Sequence, residues 1–446
     1  VNGTSRQRLA AVSTSGSLLP WAPTSDLPIR AMAMGPDNES VVIGGDFFQI
    51  NGANSHALAV VDAETGANEK TYPNGYFHNN SVVKDITTDE TGFYTAHEGT
   101  GGGVFDGRTA FDWDGYTERW RDTCLGATQA VVVYDEVLYS GSHAHDCSSM
   151  GAFPDGRRQH LLAQRVDDPE LLPWFPDTND GIGESIGPRD MVVSGKGSQD
   201  YLWVAGEFTT VNGHAQQGLT RFGQGPDLAK PTIPVASAAS FEEGKVHVRW
   251  RASTDTDDGT LTYKVYRDGG STPIWTGTAE SRWWSRPQVS FTDTGLTPGS
   301  THTYQVTASD PTNTSTPSAP VTVTVASETS PYPSRVLADG ANLYWRYDEI
   351  SGTFAADSSS GDNNGFYSGN LTKSVSPGAI NDDDSTALGT DGNTGYLYTE
   401  RRLDRPTEFT IETWFKTTST TGGKLIGFGN NQTRNSSKYD KHIYMT

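Results

Sequence analysis

The stretch Val41-Val-Ile-Gly-Gly-Asp-Phe-Phe-Gln-Ile-Asn-Gly52 decides the fold, because it recurs along the chain. A second copy reads Leu202-Trp-Val-Ala-Gly-Glu-Phe-Thr-Thr-Val-Asn-Gly213. Two degenerate copies lie between them, around the small residues Ala96 and Gly141. Each copy follows another short apolar run, and Gly, Pro, Asn and Asp separate the runs. This pattern is typical of short β-strands, and no long stretch has helical periodicity.

The repeat predicts an all-β chain with a β-propeller over residues 1–224. A unit of four short strands that recurs about every 40–50 residues is typical of a propeller blade. A four-stranded sheet cannot bury both of its faces by itself, whereas radial stacking covers each face with a neighbouring sheet. Small residues at the anchor positions Gly45, Ala96, Gly141 and Gly206 would let the inner strands crowd near the axis. A β-solenoid or a sandwich is the alternative.

The repeat resembles that of a family of secreted bacterial propellers, written GGxFxxVNG…LAxLDxxTG, through Gly44–Gly52, Leu58–Asp62 and Thr65-Gly66. The resemblance implies a secreted, multi-domain protein and supplies no catalytic residues. Val1-Asn-Gly3 matches the end of the motif without the strands that precede it. We therefore expect the propeller to be incomplete at its start, with a four-bladed ring as the alternative.

Two linkers rich in Pro divide the rest of the chain. They lie at residues 225–234 and 327–335. The sequence therefore predicts two further modules, one at residues 235–326 and one at residues 336–446.

The module at 235–326 consists of about 90 residues of alternating strands, with Trp250 at the end of one strand. Together with the turn Leu296-Thr-Pro-Gly299, this pattern resembles a fibronectin type III sandwich, in which such a Trp is buried. By spacing from Leu296, the tyrosine of that family's tyrosine corner falls at His302. The sequence therefore departs from the family at the tyrosine corner, and the expected sandwich fold is unchanged. The imidazole could bond the backbone, or Tyr304 could take another role.

The last module resembles the laminin-G-like, concanavalin-type jelly roll. Leu343-Tyr-Trp-Arg-Tyr-Asp-Glu349 matches one motif of that family, and Phe409–Lys416 with Gly422–Gly429 matches another. We expect Trp345 and Trp414 in its core. Only 111 residues remain after the second linker, whereas two full sheets need roughly 150. We therefore expect this jelly roll to be truncated at its C-terminal end.

The composition excludes two classes of partner. Lys and Arg number 33 against 54 Asp and Glu, which gives a net charge of −21. Nucleic-acid binding depends largely on Lys and Arg at phosphates, so we expect neither nucleic acid nor an anionic membrane surface as a partner. No run of about 18 apolar residues is present, and we expect no membrane insertion.

The two cysteines, Cys124 and Cys147, are spaced to close a short loop. A disulfide between them would suit an oxidising compartment and a secreted or cell-surface protein. Two buried thiols are the alternative.

Two kinds of side-chain cluster are candidates for a metal. His143 and His145 would share one face of a strand, which allows two ligands, with a strand-end loop tied down by Cys147 as the alternative. Acidic loops supply oxygen ligands for Ca²⁺, with a solvated turn as the alternative reading. They are Asp255–Asp258 and the run Asp382, Asp383 and Asp384, where the resemblance to laminin-G domains adds support for Ca²⁺ or sugar.

The adjacent residues Trp283 and Trp284 are candidates for ligand binding. Neighbouring side chains on a strand point to opposite faces, so we expect one indole in the core and one exposed. An exposed Trp can stack on a sugar or fill a partner's pocket. Packing against a neighbouring domain is the alternative.

No catalytic set emerges from the sequence. A Gly-x-Ser-x-Gly elbow is absent, and with 54 acidic residues a pair of carboxylates carries no information. The sequence therefore predicts a non-catalytic extracellular binding or adhesion protein that recognises a glycan, a wall polymer or a protein at the cell surface. One alternative is a set of accessory modules from a secreted polysaccharide-degrading enzyme. The other is a structural subunit of an extracellular assembly or virion appendage.

Overall fold

Nearly all regular structure in this protein is β-strand. The computed structural model describes residues 3–196, 199–381, 383, 385–433 and 435–446. Within these ranges, 33 strands are accompanied by the helix α1 (Pro331–Ala338) and a 3₁₀ turn at Ser148–Met150. The prediction of an all-β chain is confirmed.

The chain folds into two compact units, Val1–Pro226 (unit 1) and Asp227–Thr446 (unit 2). The predicted modules at 235–326 and 336–446 both belong to unit 2, and their boundaries stay predictions. No helix in the described ranges has the length and apolar character that a membrane span requires.

In its described residues, unit 1 contains four antiparallel sheets of three or four strands that follow one another along the chain, and two short two-stranded hairpins. Its strands are β1 (Ile29–Met34), β2 (Ser40–Gly45), β3 (Gln49–Ile50), β4 (Ala53–Asn54), β5 (Leu58–Asp62), β6 (Asn68–Thr71), β7 (Val82–Thr88), β8 (Gly92–Glu98), β9 (Arg108–Asp112), β10 (Glu118–Arg121), β11 (Thr128–Tyr134), β12 (Val137–Ala144), β13 (Gln159–Arg165), β14 (Asp168–Leu171), β15 (Pro188–Lys196), β16 (Gln199–Gly206), β17 (Thr210–Val211), β18 (His214–Ala215) and β19 (Leu219–Gly223). Sheets 1 to 4 have the strand orders β1-β2-β5-β6, β10-β9-β8-β7, β11-β12-β13-β14 and β15-β16-β19.

The two clear copies of the repeat form the same local structure in sheets 1 and 4. In each copy, Asn-Gly closes a short hairpin, β3-β4 or β17-β18. Asn51 and Gly52 have φ of 52° and 74°, and Asn212 and Gly213 have φ of 48° and 76°. Two consecutive residues with positive φ are what a tight type I′ hairpin turn requires.

The anchor glycines are required by close backbone contacts. A Cβ on Gly45 would overlap the carbonyl oxygen of Pro28, and a Cβ on Gly206 would overlap that of Gly187. Because these anchor residues have no side chain, the second strand of sheets 1 and 4 can approach the start of the first strand closely.

Successive sheets of unit 1 pack against each other through buried apolar side chains. Their first strands, β1, β7, β11 and β15, are neighbours in that order. The interfaces are formed by Val42 and Leu58 with Val83 and Phe93, by Tyr94 with Val131 and Leu138, and by Ala130 and Leu161 with Met191 and Val204. Each sheet thus covers a face that its neighbour could not bury alone.

Unit 2 begins with a two-sheet β-sandwich. Its strands are β20 (Val235–Ala239), β21 (Lys245–Arg251), β22 (Thr260–Arg267), β23 (Trp275–Glu280), β24 (Gln288–Thr294), β25 (Thr301–Ser309) and β26 (Val321–Thr324). The sheets have the orders β20-β21-β24 and β23-β22-β25-β26. Trp250, Tyr263 and Tyr304 are fully buried between them.

In this sandwich, Tyr304 and His302 near the tyrosine-corner position each contact a carboxylate. The Tyr304 hydroxyl donates to the Asp293 carboxylate at 2.9 Å. His302 instead lies 2.7 Å from an Asp268 carboxylate oxygen through its ring Nδ1. Both side chains therefore have carboxylate partners on neighbouring segments of the sandwich.

Among the described residues, the rest of unit 2 contains α1 and three small sheets. The strands are β27 (Phe354–Ala355), β28 (Gly365–Ser368), β29 (Leu371–Val375), β30 (Ala387–Thr390), β31 (Tyr396–Thr399), β32 (Gly423–Gly429) and β33 (Tyr439–Met445). They pair as β27-β28-β31, β29-β30 and β32-β33.

The expectation that Trp414 fills a core is wrong. Residues 409–416 contain no strand, and Trp414 is 60% exposed. Its indole N–H donates to the Tyr332 hydroxyl at 2.9 Å. Trp345 is half-buried, and its indole N–H donates to the Asn363 carbonyl at 3.1 Å. Trp414 stays exposed because, in the described part of the chain, no strand pairs with its segment and covers it.

Candidate functional site

The first strand of each sheet in unit 1 has a bulge at the same place. The register shifts across one residue in β1, β7, β11 and β15. The bulged residues are Arg30, Lys84, Gln129 and Arg189. A bulge bends its strand and re-aims the side chain. Four polar side chains are thus presented at equivalent positions of four neighbouring sheets.

In sheets 1 and 2 the bulged residue is a cation paired with an acid just after the anchor. Arg30 makes two hydrogen bonds to Asp46, 2.5 Å from Nε to Oδ1 and 2.8 Å from Nη2 to Oδ2. Lys84 Nζ lies 2.9 Å from Glu98 Oε2. The bulged residue of the first strand and an acid that follows the anchor therefore form an ion pair in both sheets.

Sheet 3 departs from this rule and sheet 4 returns to it. Gln129, the bulged residue of sheet 3, donates its amide to Glu98 of sheet 2 at 2.8 Å. Arg189 in sheet 4 pairs with Glu207, 3.1 Å from Nε to Oε1, and with the more exposed Glu184. We call the set Arg30, Asp46, Lys84, Glu98, Gln129, Arg189 and Glu207 the polar row.

Several charged members of the polar row have pKa values that are shifted in favour of their ionised forms. The hydrogen bond to Asp46 raises the pKa of Arg30. Burial acts to raise the pKa of Glu98, but hydrogen bonds from Gln129 and Lys84 outweigh it and the pKa lies below its usual value. The Arg189 guanidinium lowers the pKa of Glu207. The row therefore contains three basic side chains, of Arg30, Lys84 and Arg189, and three acidic ones, of Asp46, Glu98 and Glu207.

A balanced row of this kind suits one kind of ligand. A hydroxyl group both donates and accepts hydrogen bonds, so it can be matched by a guanidinium and a carboxylate that lie side by side. A phosphate or sulfate ligand would gain from the cations but meet the three carboxylates.

The structure does not bring His143 and His145 together as a metal site. His143 is on β12 and is half-buried, and burial lowers its pKa to about 4, with Arg158 and His160 acting in the same direction. His145 follows the end of β12 and lies 3.3 Å from Asp155 through Nδ1. The extended backbone continues through both residues, because the His143 and His145 N–H groups donate to the Ala127 and Leu125 carbonyls. In the described ranges, neither histidine belongs to a group of metal-binding side chains.

A third histidine, His160, was not found by sequence reasoning. It is buried on β13, with Nδ1 and Nε2 each 3.0 Å from a carboxylate, of Asp177 and Asp180 respectively. Burial opposes its protonation, but the two carboxylates outweigh burial and raise its pKa.

Cys124 and Cys147 form a disulfide, the first of the two alternatives that the sequence left open. Both residues are buried. The bond ties the segment after sheet 2 to the loop after β12.

The described acid of the run 382–384 has a structural partner. The Asp383 side chain is buried and accepts two hydrogen bonds from Arg346, at 2.8 and 2.7 Å. Its carboxylate is therefore occupied by a guanidinium. Asp382 and Asp384 lie outside the described residues.

The other acidic loop, Asp255–Asp258, lies near carboxylates that the sequence did not connect with it. Asp258 lies close to Asp255 and Asp257, and also to Asp227 and Asp310, which come from other segments of unit 2.

Trp283 and Trp284 lie in a turn between β23 and β24, which Arg282 and Ser285 close by an isolated bridge. Both indoles are half-buried, and their ring centroids are 5.4 Å apart in an edge-to-face arrangement. The expected division into a core and an exposed indole fails because the pair is not on a strand. Their role in ligand binding stays a prediction.

Comparison with known proteins gives short matches. No family model matches the chain. A segment of 108 residues is 37% identical to Exoglucanase B of Cellulomonas fimi and covers 24% of this chain and 9% of that protein. A segment of 97 residues is 34% identical to Amylopullulanase of Thermoanaerobacterium saccharolyticum and covers 22% of this chain and 7% of that protein. The chain thus spans less than a tenth of these relatives.

Among solved structures, one titled "Crystal Structure of FN3tt" is 14% identical and covers 22% of this chain and 96% of that chain. Its TM-score is 0.17, which is too low to assign a fold to this chain.

Proposed function

We propose that this chain is a non-catalytic accessory region of an extracellular, polysaccharide-directed protein. The observation that carries this proposal is the pair of short matches to Exoglucanase B and Amylopullulanase. Short regions of two proteins with different named activities match this chain, and an ancillary module would produce such matches. Its length of about 100 residues fits the sandwich of unit 2, which we assign as a fibronectin type III spacer. The disulfide Cys124–Cys147 supports an extracellular location.

We assign unit 1 as part of a β-propeller and the end of unit 2 as a laminin-G-like module. For unit 1, four sheets in chain order with neighbouring first strands support the assignment. For the end of unit 2, the support is the resemblance of the motif Leu343–Glu349.

The polar row is the proposed binding surface, and a neutral glycan is the proposed ligand. Its paired donors and acceptors match the hydroxyl groups of a sugar. The net charge of −21 would repel polyanions.

The test is a binding assay of the full chain on insoluble cellulose, starch and chitin, followed by affinity measurement on the best ligand. Arg30→Gln and Glu98→Gln should each weaken binding at least fivefold, because each leaves a row partner unmatched. The matched control is Arg165→Gln, since Arg165 is half-exposed on β13 and outside the row.

Two results would contradict the proposal. If both row variants bind the polysaccharide with wild-type affinity, the polar row is not the binding site. Binding to none of the polysaccharides would remove the glycan function, and would favour a structural role in a larger assembly.

A further inference from the structure

Five aspartates converge at one end of the sandwich in unit 2. Asp255, Asp257 and Asp258 lie on the loop between β21 and β22. Asp310 directly follows β25, and Asp227 is the first residue of the unit. Three separate segments therefore contribute carboxylates to one place.

The distances fit coordination of a single ion. One carboxylate oxygen from each of Asp227, Asp258 and Asp310 lies within 4.8 Å of the others, and the same holds for Asp255, Asp257 and Asp258. Two oxygens bound to one Ca²⁺ at about 2.4 Å lie at most about 4.8 Å apart. Asp258 belongs to both groups and links them.

Two of these carboxylates have a buried oxygen that lacks a hydrogen-bond partner. Asp310 is only 8% exposed; its Oδ1 accepts from the Thr312 backbone N–H at 2.6 Å, while its Oδ2 has no partner. Asp255 repeats the arrangement, with Oδ1 accepting from the Thr256 N–H at 2.7 Å and Oδ2 without a partner. Buried carboxylate oxygens without partners are costly, so a ligand for them is expected.

The neighbouring charges make the cost larger. Asp255, Asp257 and Asp258 place three carboxylates on one loop, and Asp227 and Asp310 add two more beside Asp258. The local field thus favours a bound cation.

We propose that unit 2 binds a Ca²⁺ ion through Asp227, Asp258 and Asp310, with Asp255 and Asp257 at its side. All donors are oxygens, which excludes the nitrogen and sulfur ligands that Zn²⁺ prefers. Ca²⁺ takes six to eight oxygens in flexible geometry, whereas Mg²⁺ demands near-octahedral geometry and keeps its waters. Carboxylates from three separate segments suit the flexible coordination of Ca²⁺ better than the octahedral coordination of Mg²⁺.

The ion would also fasten the first residues of unit 2 to the sandwich. Asp227 already accepts from the Asn313 amide, at 3.1 Å on its carbonyl and 2.9 Å on Oδ2. Further along, the Thr232 N–H donates to the Thr254 carbonyl at 2.9 Å. Leu228, between these contacts, is 80% exposed, and we expect bound Ca²⁺ to slow its cleavage by chymotrypsin.

The test is calorimetric titration of the full chain, stripped with chelator, with CaCl₂ and separately with MgCl₂. We expect Ca²⁺ to bind at least tenfold more tightly than Mg²⁺ and to raise the melting temperature. Asp310→Asn should weaken Ca²⁺ binding at least tenfold. Asp258→Asn, a half-exposed position, provides the same test if Asp310→Asn does not fold. The matched control is Asp404→Asn, which removes an exposed carboxylate outside the cluster.

Each of three outcomes would overturn the proposal. They are the absence of Ca²⁺ binding by the wild-type chain, equal affinity for Mg²⁺, and wild-type affinity in a folded Asp310→Asn or Asp258→Asn variant. A glycan-binding result has no bearing on this test, since the cluster lies outside the polar row.

Discussion

Arg108 of sheet 2 forms an ion pair with Asp122, and both side chains are fully buried. Arg108 also donates to the Ser140 hydroxyl of sheet 3 at 3.1 Å, and Asp122 accepts from the Gln164 amide at 2.7 Å. A buried polar network therefore lies between sheets 2 and 3, beside the apolar contacts of Tyr94 with Val131 and Leu138. Such a network is stable only while every charge keeps its partner.

We predict that Arg108→Met destabilises unit 1 by about 3–5 kcal/mol, because it leaves the Asp122 carboxylate buried without its cation. Urea unfolding, followed by Trp fluorescence, measures the change. Arg165→Met is the control, since its pairs with Glu136 and Asp167 are exposed and should contribute under about 1 kcal/mol. Similar losses in the two variants would show that burial does not determine the cost.

Removal of the Cys124–Cys147 disulfide should also weaken unit 1. The two residues are 23 positions apart, and closing a loop of this size stabilises a fold by about 3 kcal/mol. The double variant Cys124→Ala/Cys147→Ala should therefore unfold at lower urea concentration. Reductant should lower the midpoint of the wild type and leave the variant unchanged; a reductant-insensitive wild type would contradict this.

The stability of unit 1 should depend on His143 between about pH 6.5 and pH 4. The folded chain keeps this histidine neutral down to about pH 4, because burial lowers its pKa. The unfolded chain binds the proton near pH 6.5, so the stability that His143 contributes falls as the pH falls through this window. Over this pH window, the free energy of unfolding of His143→Gln should fall by about 1–2 kcal/mol less than that of the wild type, after allowance for solvent screening.

Urea unfolding at pH 7.5, 6.0 and 4.5 checks this difference. His160 provides a control of opposite sign, because its carboxylate partners raise its pKa in the folded chain. Its contribution is present at low pH and is lost as the pH rises, so His160→Gln should lose more stability than the wild type on acidification. Parallel curves for all three proteins would count against both assignments.

Tyr304→Phe should destabilise the sandwich by about 1–2 kcal/mol. The substitution removes a hydrogen bond to the buried Asp293 carboxylate and leaves that acid with Arg267. Thermal unfolding of the full chain, with both transitions resolved, measures the loss in unit 2. Tyr266→Phe on β22 is the matched control and should change stability by less than about 0.5 kcal/mol. An equal effect of the two substitutions would mean that the carboxylate contact contributes nothing.

The candidate site was partly visible in the sequence. The acids Asp46 and Glu207 belong to the repeat, directly after the anchors Gly45 and Gly206. The bulges that direct Arg30 and Arg189 towards them are not encoded in any short pattern, because a bulge depends on how two strands pair. Gln129 could not be connected with Glu98 at all, since that contact joins different sheets.

The sequence by itself determined the local backbone structure of this protein. Asn51-Gly52 and Asn212-Gly213 specify tight turns because few other residues adopt positive φ easily, and the alternation of apolar residues specifies strands. Only the tertiary structure decided which polar groups meet. Arg108 and Asp122, or Asp227, Asp258 and Asp310, come together through sheet stacking and loop placement. Their energies depend on burial and on the distance between charges, and neither quantity can be read from neighbouring positions in a chain.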